Sequence, residues 1–68
     1  MTRASRIIKE IYEVMPTDKY VLVGHIARQI KSGWNTTKHY VDLLEYLGLI
    51  ESKMFYFKKK YRKIKNDS

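Results

Sequence analysis

The sequence predicts an α+β domain, mainly helical, on three observations. Apolar residues recur at helical spacing in three separate segments, each closed by proline or glycine. A short run of aromatic and β-branched residues, Tyr20 to Val23, separates the first two segments. Beyond Gly48 the chain mixes aromatic and basic residues, with Phe55, Phe57 and Tyr61 on alternate positions of an extended chain.

The first helix is expected over "SRIIKEIYEVM", where Ile7, Ile8, Ile11, Val14 and Met15 form one face and Arg6, Lys9, Glu10 and Glu13 the other. Thr2 or Ser5 can cap its start. Pro16 ends it, because proline lacks a donor and disfavours the helical conformation in the residue before it. "PTDK" then turns the chain, and "YVLV" is too short for a helix and reads as a strand. "HIARQIK" places Ile26, Ala27 and Ile30 on one side of a second helix, which Ser32-Gly33 breaks. The third helix should start near Gly33 to Asn35 and run to Leu47, with Thr37, Val41, Leu44 and Leu47 as its buried stripe and Gly48 as a left-handed cap. From Leu49 onward two readings stay open. One is a β-hairpin with a basic tip; the other is a helix carrying Ile50, Met54, Phe57, Tyr61 and Ile64 as a stripe. No Asn-Gly or Asp-Gly marks a hairpin turn.

A chain of 68 residues makes one domain with a small core, which oligomerisation would supplement. Cysteine is absent, so no disulfide or thiolate metal site adds stability, and the composition suits a reducing interior. No uninterrupted apolar run exceeds four residues, so neither a signal peptide nor a membrane span is expected. The expected location is the cytoplasm: the nucleoid, or the host's cytoplasm if the protein is viral. The charge is localised. Lys53, Lys58, Lys59, Lys60, Arg62, Lys63 and Lys65 account for a charge equal to the whole formal net charge of +7, and no acidic residue lies among them. A field concentrated in one segment attracts polyanions, whereas a solvated tail is the plainer alternative.

The succession from Ile26 to Ile50, "IARQIKSGWNTTKHYVDLLEYLGLI", resembles the winged helix-turn-helix family, especially the small transcription regulators of archaea and their viruses. The hydrophobic-Ala pair opening the second helix, the turn, the third helix and the closing Gly-Leu-Ile carry the likeness. It implies a three-helix domain over residues 1–68 with a short strand and a C-terminal β-hairpin wing, the wing or basic extension covering residues 49–68. It favours the hairpin over the helix. Ser32 departs from the family's usual buried aliphatic in the turn, which implies a looser turn or cover from Trp34, and no glycine marks the wing tip.

The resemblance implies sequence-specific binding of double-stranded DNA, with the third helix in the major groove and the wing on phosphates or in the minor groove. Trp34, Asn35, Thr36, Lys38 and His39 occupy the base-reading positions. Asn35 suits adenine, Lys38 suits guanine or phosphate, and Thr36 suits a thymine methyl. For Asn35 and Thr36 helix capping is an equally good reading; Trp34 can pack under the turn, and His39 can simply be exposed. Phosphate contacts are expected from Gly24 and His25 at the start of the second helix, from Arg28, and from Lys53, Lys58, Lys59, Lys60 and Arg62. A homodimer is expected, with Tyr12, Leu43, Tyr46, Met54, Phe57, Tyr61 and Ile64 as candidate dimer-surface residues. The alternatives are a winged-helix module for RNA or an acidic protein, or an architectural DNA-binding protein without sequence preference. No nucleophile-and-base motif, phosphate loop or clustered metal ligands stand in the sequence, so no enzyme activity, cofactor or metal is expected.

Overall fold

A computed structural model describes residues 2–65. Three helices are followed by a two-stranded antiparallel hairpin: α1 (Arg3–Val14), α2 (Val23–Ile30), α3 (Trp34–Tyr46), β1 (Ile50–Phe55) and β2 (Lys58–Lys63). This is a winged-helix-like layout. The hairpin reading of the C-terminal segment is correct and the helical alternative is not. The part of the expected wing or extension at positions 66–68 lies outside the described residues.

Thr2 caps α1, its Oγ1 accepting from the Ser5 amide at 3.1 Å. The helix stops ahead of Pro16, and Met15 is extended with ψ 122°, as a residue before proline prefers. Helix α3 ends where Gly48 takes φ 80°. There the Leu49 amide donates to Leu44 O and the Gly48 amide to Glu45 O, the paired bonds of a Schellman cap. Helix α2 also closes on a left-handed residue, Lys31 at φ 57°, with the Lys31 and Ser32 amides both donating to Ala27 O, so a non-glycine residue takes the left-handed position at a cost of about 1–2 kcal/mol.

The expected strand "YVLV" shrinks to one residue. Val21 bridges Tyr61 through two backbone hydrogen bonds of 2.7 Å, and the chain then enters α2 two residues earlier than the run "HIARQIK" suggests. The reason is packing: Val23, Ile26, Ala27 and Ile30 share a face at i, i+3, i+4 and i+7, and Val23, Ile26 and Ala27 are buried there. Leu47 also departs from expectation. Thr37, Val41 and Leu44 are buried, but Leu47 is the C-cap and is exposed, because the chain turns away at Gly48 before that position reaches the core.

The core gathers Ile11 of the first helix and Met15 just after it, Ile26, Val41 and Leu44 of the other two, and Ile50 and Tyr61 of the hairpin. Each fully buried aliphatic contributes about 1.5–3 kcal/mol. Tyr61 was a candidate for the dimer surface; it is 1% exposed and belongs to the core, since β2 packs over the helices at that position. The Lys63 amide on Pro16 O and the Ile64 amide on Leu49 O complete the attachment of β2. The expected basic tip is corrected: the hairpin tip is aromatic. Phe55 pairs with Lys58, leaving Tyr56 and Phe57 as a two-residue turn.

Candidate nucleic-acid interface

An open groove of about 720 Å³ lies between the start of α2, the first turn of α3 and β2. Four separate stretches of sequence deliver its cations: Lys19 before the bridge, Arg28 on α2, Lys38 on α3, and Lys58, Lys59 and Lys60 on β2. Among the described residues, no acidic residue lines it. The single-residue bridge at Val21 makes this possible, because beyond it β2 has no strand partner on that side and the groove opens beside it.

Trp34 stands on the groove wall. It is 54% exposed, and a methyl group at Gly24 would lie 3.9 Å from its Cδ1, so the indole rests across the glycine of α2 and not in the core. Helix α2 has no side-chain cap, and Val23, Gly24 and His25 of its first turn line the same groove. The His25 amide donates to Leu22 O at 3.1 Å, so the Gly24 amide and the helix dipole, not the His25 amide, favour an anion at that place.

The N-cap of α3 is Gly33, which has no side chain to offer, and Thr37 donates its hydroxyl to Gly33 O at 2.8 Å. Asn35 and Thr36 therefore lie within the first turn of the helix with exposed side chains, and the capping reading does not hold for them. His39 is exposed and meets Tyr40 edge-on, the ring centroids 5.1 Å apart. The helix thus presents Asn35, Thr36 and His39 outward next to the groove-lining Trp34 and Lys38.

Two of the groove lysines are held by counter-ions. Lys38 pairs with Asp42 at 2.5 Å and Lys59 with Glu45 at 3.2 Å. Asp42 also accepts from the Tyr61 hydroxyl at 3.1 Å, so a Lys38–Asp42–Tyr61 chain ties α3 to the hairpin. Partial burial pushes the Asp42 carboxyl up, but hydrogen bonds from Lys38 and Tyr61 outweigh it and hold the group below its ordinary value. The hydrogen bond to Asp42 raises Lys38, and burial, with the charge of Asp42, raises the Tyr61 hydroxyl. Lys38 therefore remains a cation throughout the physiological range.

The structure does not bring every phosphate candidate into the groove. Lys53 lies on β1 with its ammonium 5.7 Å from the Phe55 ring centroid, and Lys60 approaches the same ring at 5.3 Å while still lining the groove. Arg62 is bound by Glu51 and lies 4.6 Å over the Tyr20 ring. Glu51 accepts from Tyr20 as well as Arg62, and both bonds lower its carboxyl. Arg62 and Tyr20 thus brace the outer face of the hairpin. Lys19 and Tyr20 were missed from sequence, as were the counter-ions. The i, i+4 spacing of Lys38 and Asp42 was a readable signal for one of those pairs.

Of the dimer candidates, Leu43, Tyr46 and Ile64 are exposed, and Tyr12 is half-buried with the Lys63 ammonium 4.4 Å over its ring. Leu47 and Leu49, exposed beside Tyr46 around the end of α3, enlarge that apolar surface. Met54 and Phe57 lie elsewhere, at the hairpin's far end. No described helix is long and apolar enough to cross a membrane. No family model matches the chain, and no curated protein matches it.

Proposed function

We propose that this protein binds double-stranded DNA with sequence preference and acts as a transcription regulator. The observation that carries the reading is the groove: six basic residues from four stretches of sequence line one concavity beside the exposed first turn of α3. A phosphate backbone seated along Lys19, Arg28 and Lys58 to Lys60, with the Gly24 amide at the start of α2, fixes the register. Asn35, Thr36 and His39 then meet base edges in the major groove, with Lys38 and Trp34 at the boundary between base and phosphate.

The exposed apolar residues around the end of α3 support a homodimer as part of the same reading. The 13-residue helix puts Tyr46 about 18 Å from Trp34, far enough for a second copy to cover one end while the other reads DNA. Two symmetric copies double the contacted bases.

Selection of bound sites from a random duplex library tests the proposal. A two-fold symmetric motif is expected, and Asn35→Ala should relax one position of each half-site, a loss of about 1–3 kcal/mol of discrimination. Recovery of unrelated sequences would recast the protein as architectural. Tighter binding to structured RNA than to any duplex would overturn the reading.

A further inference from the structure

The turn of the hairpin holds two residues in a conformation that their side chains disfavour. Tyr56 and Phe57 have φ of 48° and 69°, and the flanking pair is Phe55 with Lys58. Both central residues of the turn are left-handed, the arrangement that Asn-Gly adopts easily and that bulky residues resist. Nothing in the fold offsets this strain by burial, since Tyr56 is 93% exposed and Phe57 98%.

The neighbouring positions point the same way. Lys53 stands directly opposite Lys60, and like charges across a strand pair repel. Lys58 follows the turn, and residues 52–65 contain no Asp or Glu; of these lysines Lys59 is paired, with Glu45 of α3. The tip therefore combines strained aromatics without an intramolecular partner and cations that repel one another. The exposed aromatic surface and the charge repulsion are both offset by one kind of partner, a polyanion with flat apolar faces between its charges.

We propose that Tyr56 and Phe57 form a wedge that enters the minor groove of duplex DNA and partly unstacks one base step, while Lys53, Lys58 and Lys60 neutralise the phosphates on either side. The inference rests on the duplex-binding reading and adds a deformation of the DNA to it. A two-residue tip matches a groove about 6 Å wide, and an inserted apolar side chain kinks the duplex away from itself. A lipid surface also accepts aromatics flanked by lysines. Lys58 to Lys60, however, continue directly into the concave groove with Lys19, Arg28 and Lys38. A flat bilayer leaves that concavity unmatched, whereas the ridge of a phosphate backbone fills it.

The test uses the full chain and the double variant Tyr56→Asn with Phe57→Gly, which places the favoured turn residues at these positions and so keeps the hairpin. The probes are short duplexes with 2-aminopurine at a central pyrimidine–purine step and a donor–acceptor pair at their ends, single strands of the same sequence, and vesicles of phosphatidylserine with phosphatidylcholine. The wild type should raise 2-aminopurine fluorescence severalfold and shorten the end-to-end distance. The variant should bind the duplex about tenfold more weakly, with an unchanged salt slope and neither optical signal. Duplex binding by the wild type without those signals, or the same signals from the variant, would overturn the wedge and leave the duplex-binding reading intact. Tip-dependent binding to single strands or vesicles in place of the duplex would overturn both.

Discussion

The two ends of the hairpin are built from the same residue types and put them to opposite uses. At its base, Tyr61 is 1% exposed, bridged to Val21 on both sides of its peptide and hydrogen-bonded to Asp42. At its tip, Tyr56 and Phe57 are almost wholly exposed on a left-handed turn. The base aromatic lowers the free energy of the fold by burial and satisfied hydrogen bonds. The tip aromatics raise it, by about 1–2 kcal/mol for each left-handed residue. The proposed wedge rests on this contrast: exposed tip aromatics that stabilise nothing within their own chain.

The sharpest way to break this comparison is to truncate each end. Tyr61→Ala should cost about 3–5 kcal/mol, enough to unfold much of so small a domain, by circular dichroism against urea. A loss below about 1 kcal/mol would show that the base is not the anchor described. In the middle of the hairpin, Lys59→Ala with Lys60→Ala should leave the melting temperature nearly unchanged, weaken binding to all duplexes alike and lower the salt slope by about 1–2, the smaller figure applying where Glu45 keeps Lys59 engaged. Selective loss on one duplex would assign these lysines to base reading.

At the tip the sign reverses. Tyr56→Asn with Phe57→Gly should stabilise the isolated protein by up to about 2–4 kcal/mol, a rise of about ten degrees in melting temperature for a domain of this size. A lower melting temperature would mean that the tip aromatics serve the fold after all. The smallest effect concerns acid. Asp42 and Glu51 are held below their ordinary values in the folded state. Their contribution is therefore present above the unfolded carboxylate range, about pH 4, and is lost as the pH falls through the lower folded values. Thermal unfolding should show stability decreasing on acidification below about pH 5, with a smaller decrease in Asp42→Asn; stability rising over that range would contradict the ion-pair account.

The helices were legible because each carries apolar residues at helical spacing and an explicit stop, Pro16 for α1 and Gly48 for α3. The limits of the short strand were not. Val23 fits an alternating strand and a helix face equally well from sequence, and only the burial available beside Ile26 and Ala27 decides it. The hairpin turn was hidden for a different reason, since Tyr-Phe at left-handed positions violates the local preference that sequence reasoning relies on. In the candidate site, Lys38, Arg28 and the β2 lysines could be named from charge and helix position. That Lys19 joins them, and that Asp42 and Glu45 hold two of them, depends on contacts between segments far apart in sequence.

The central claim is that the groove cations grip a phosphate backbone, and the salt dependence of duplex affinity measures it most directly. Six groove cations set an upper expectation of about −5 for the slope of log binding constant against log salt, reduced where Asp42 and Glu45 keep Lys38 and Lys59 engaged. The account predicts a slope between about −3 and −5, moving by about +1 in Lys58→Ala. A slope near zero, or no binding to duplex at low salt, would contradict it.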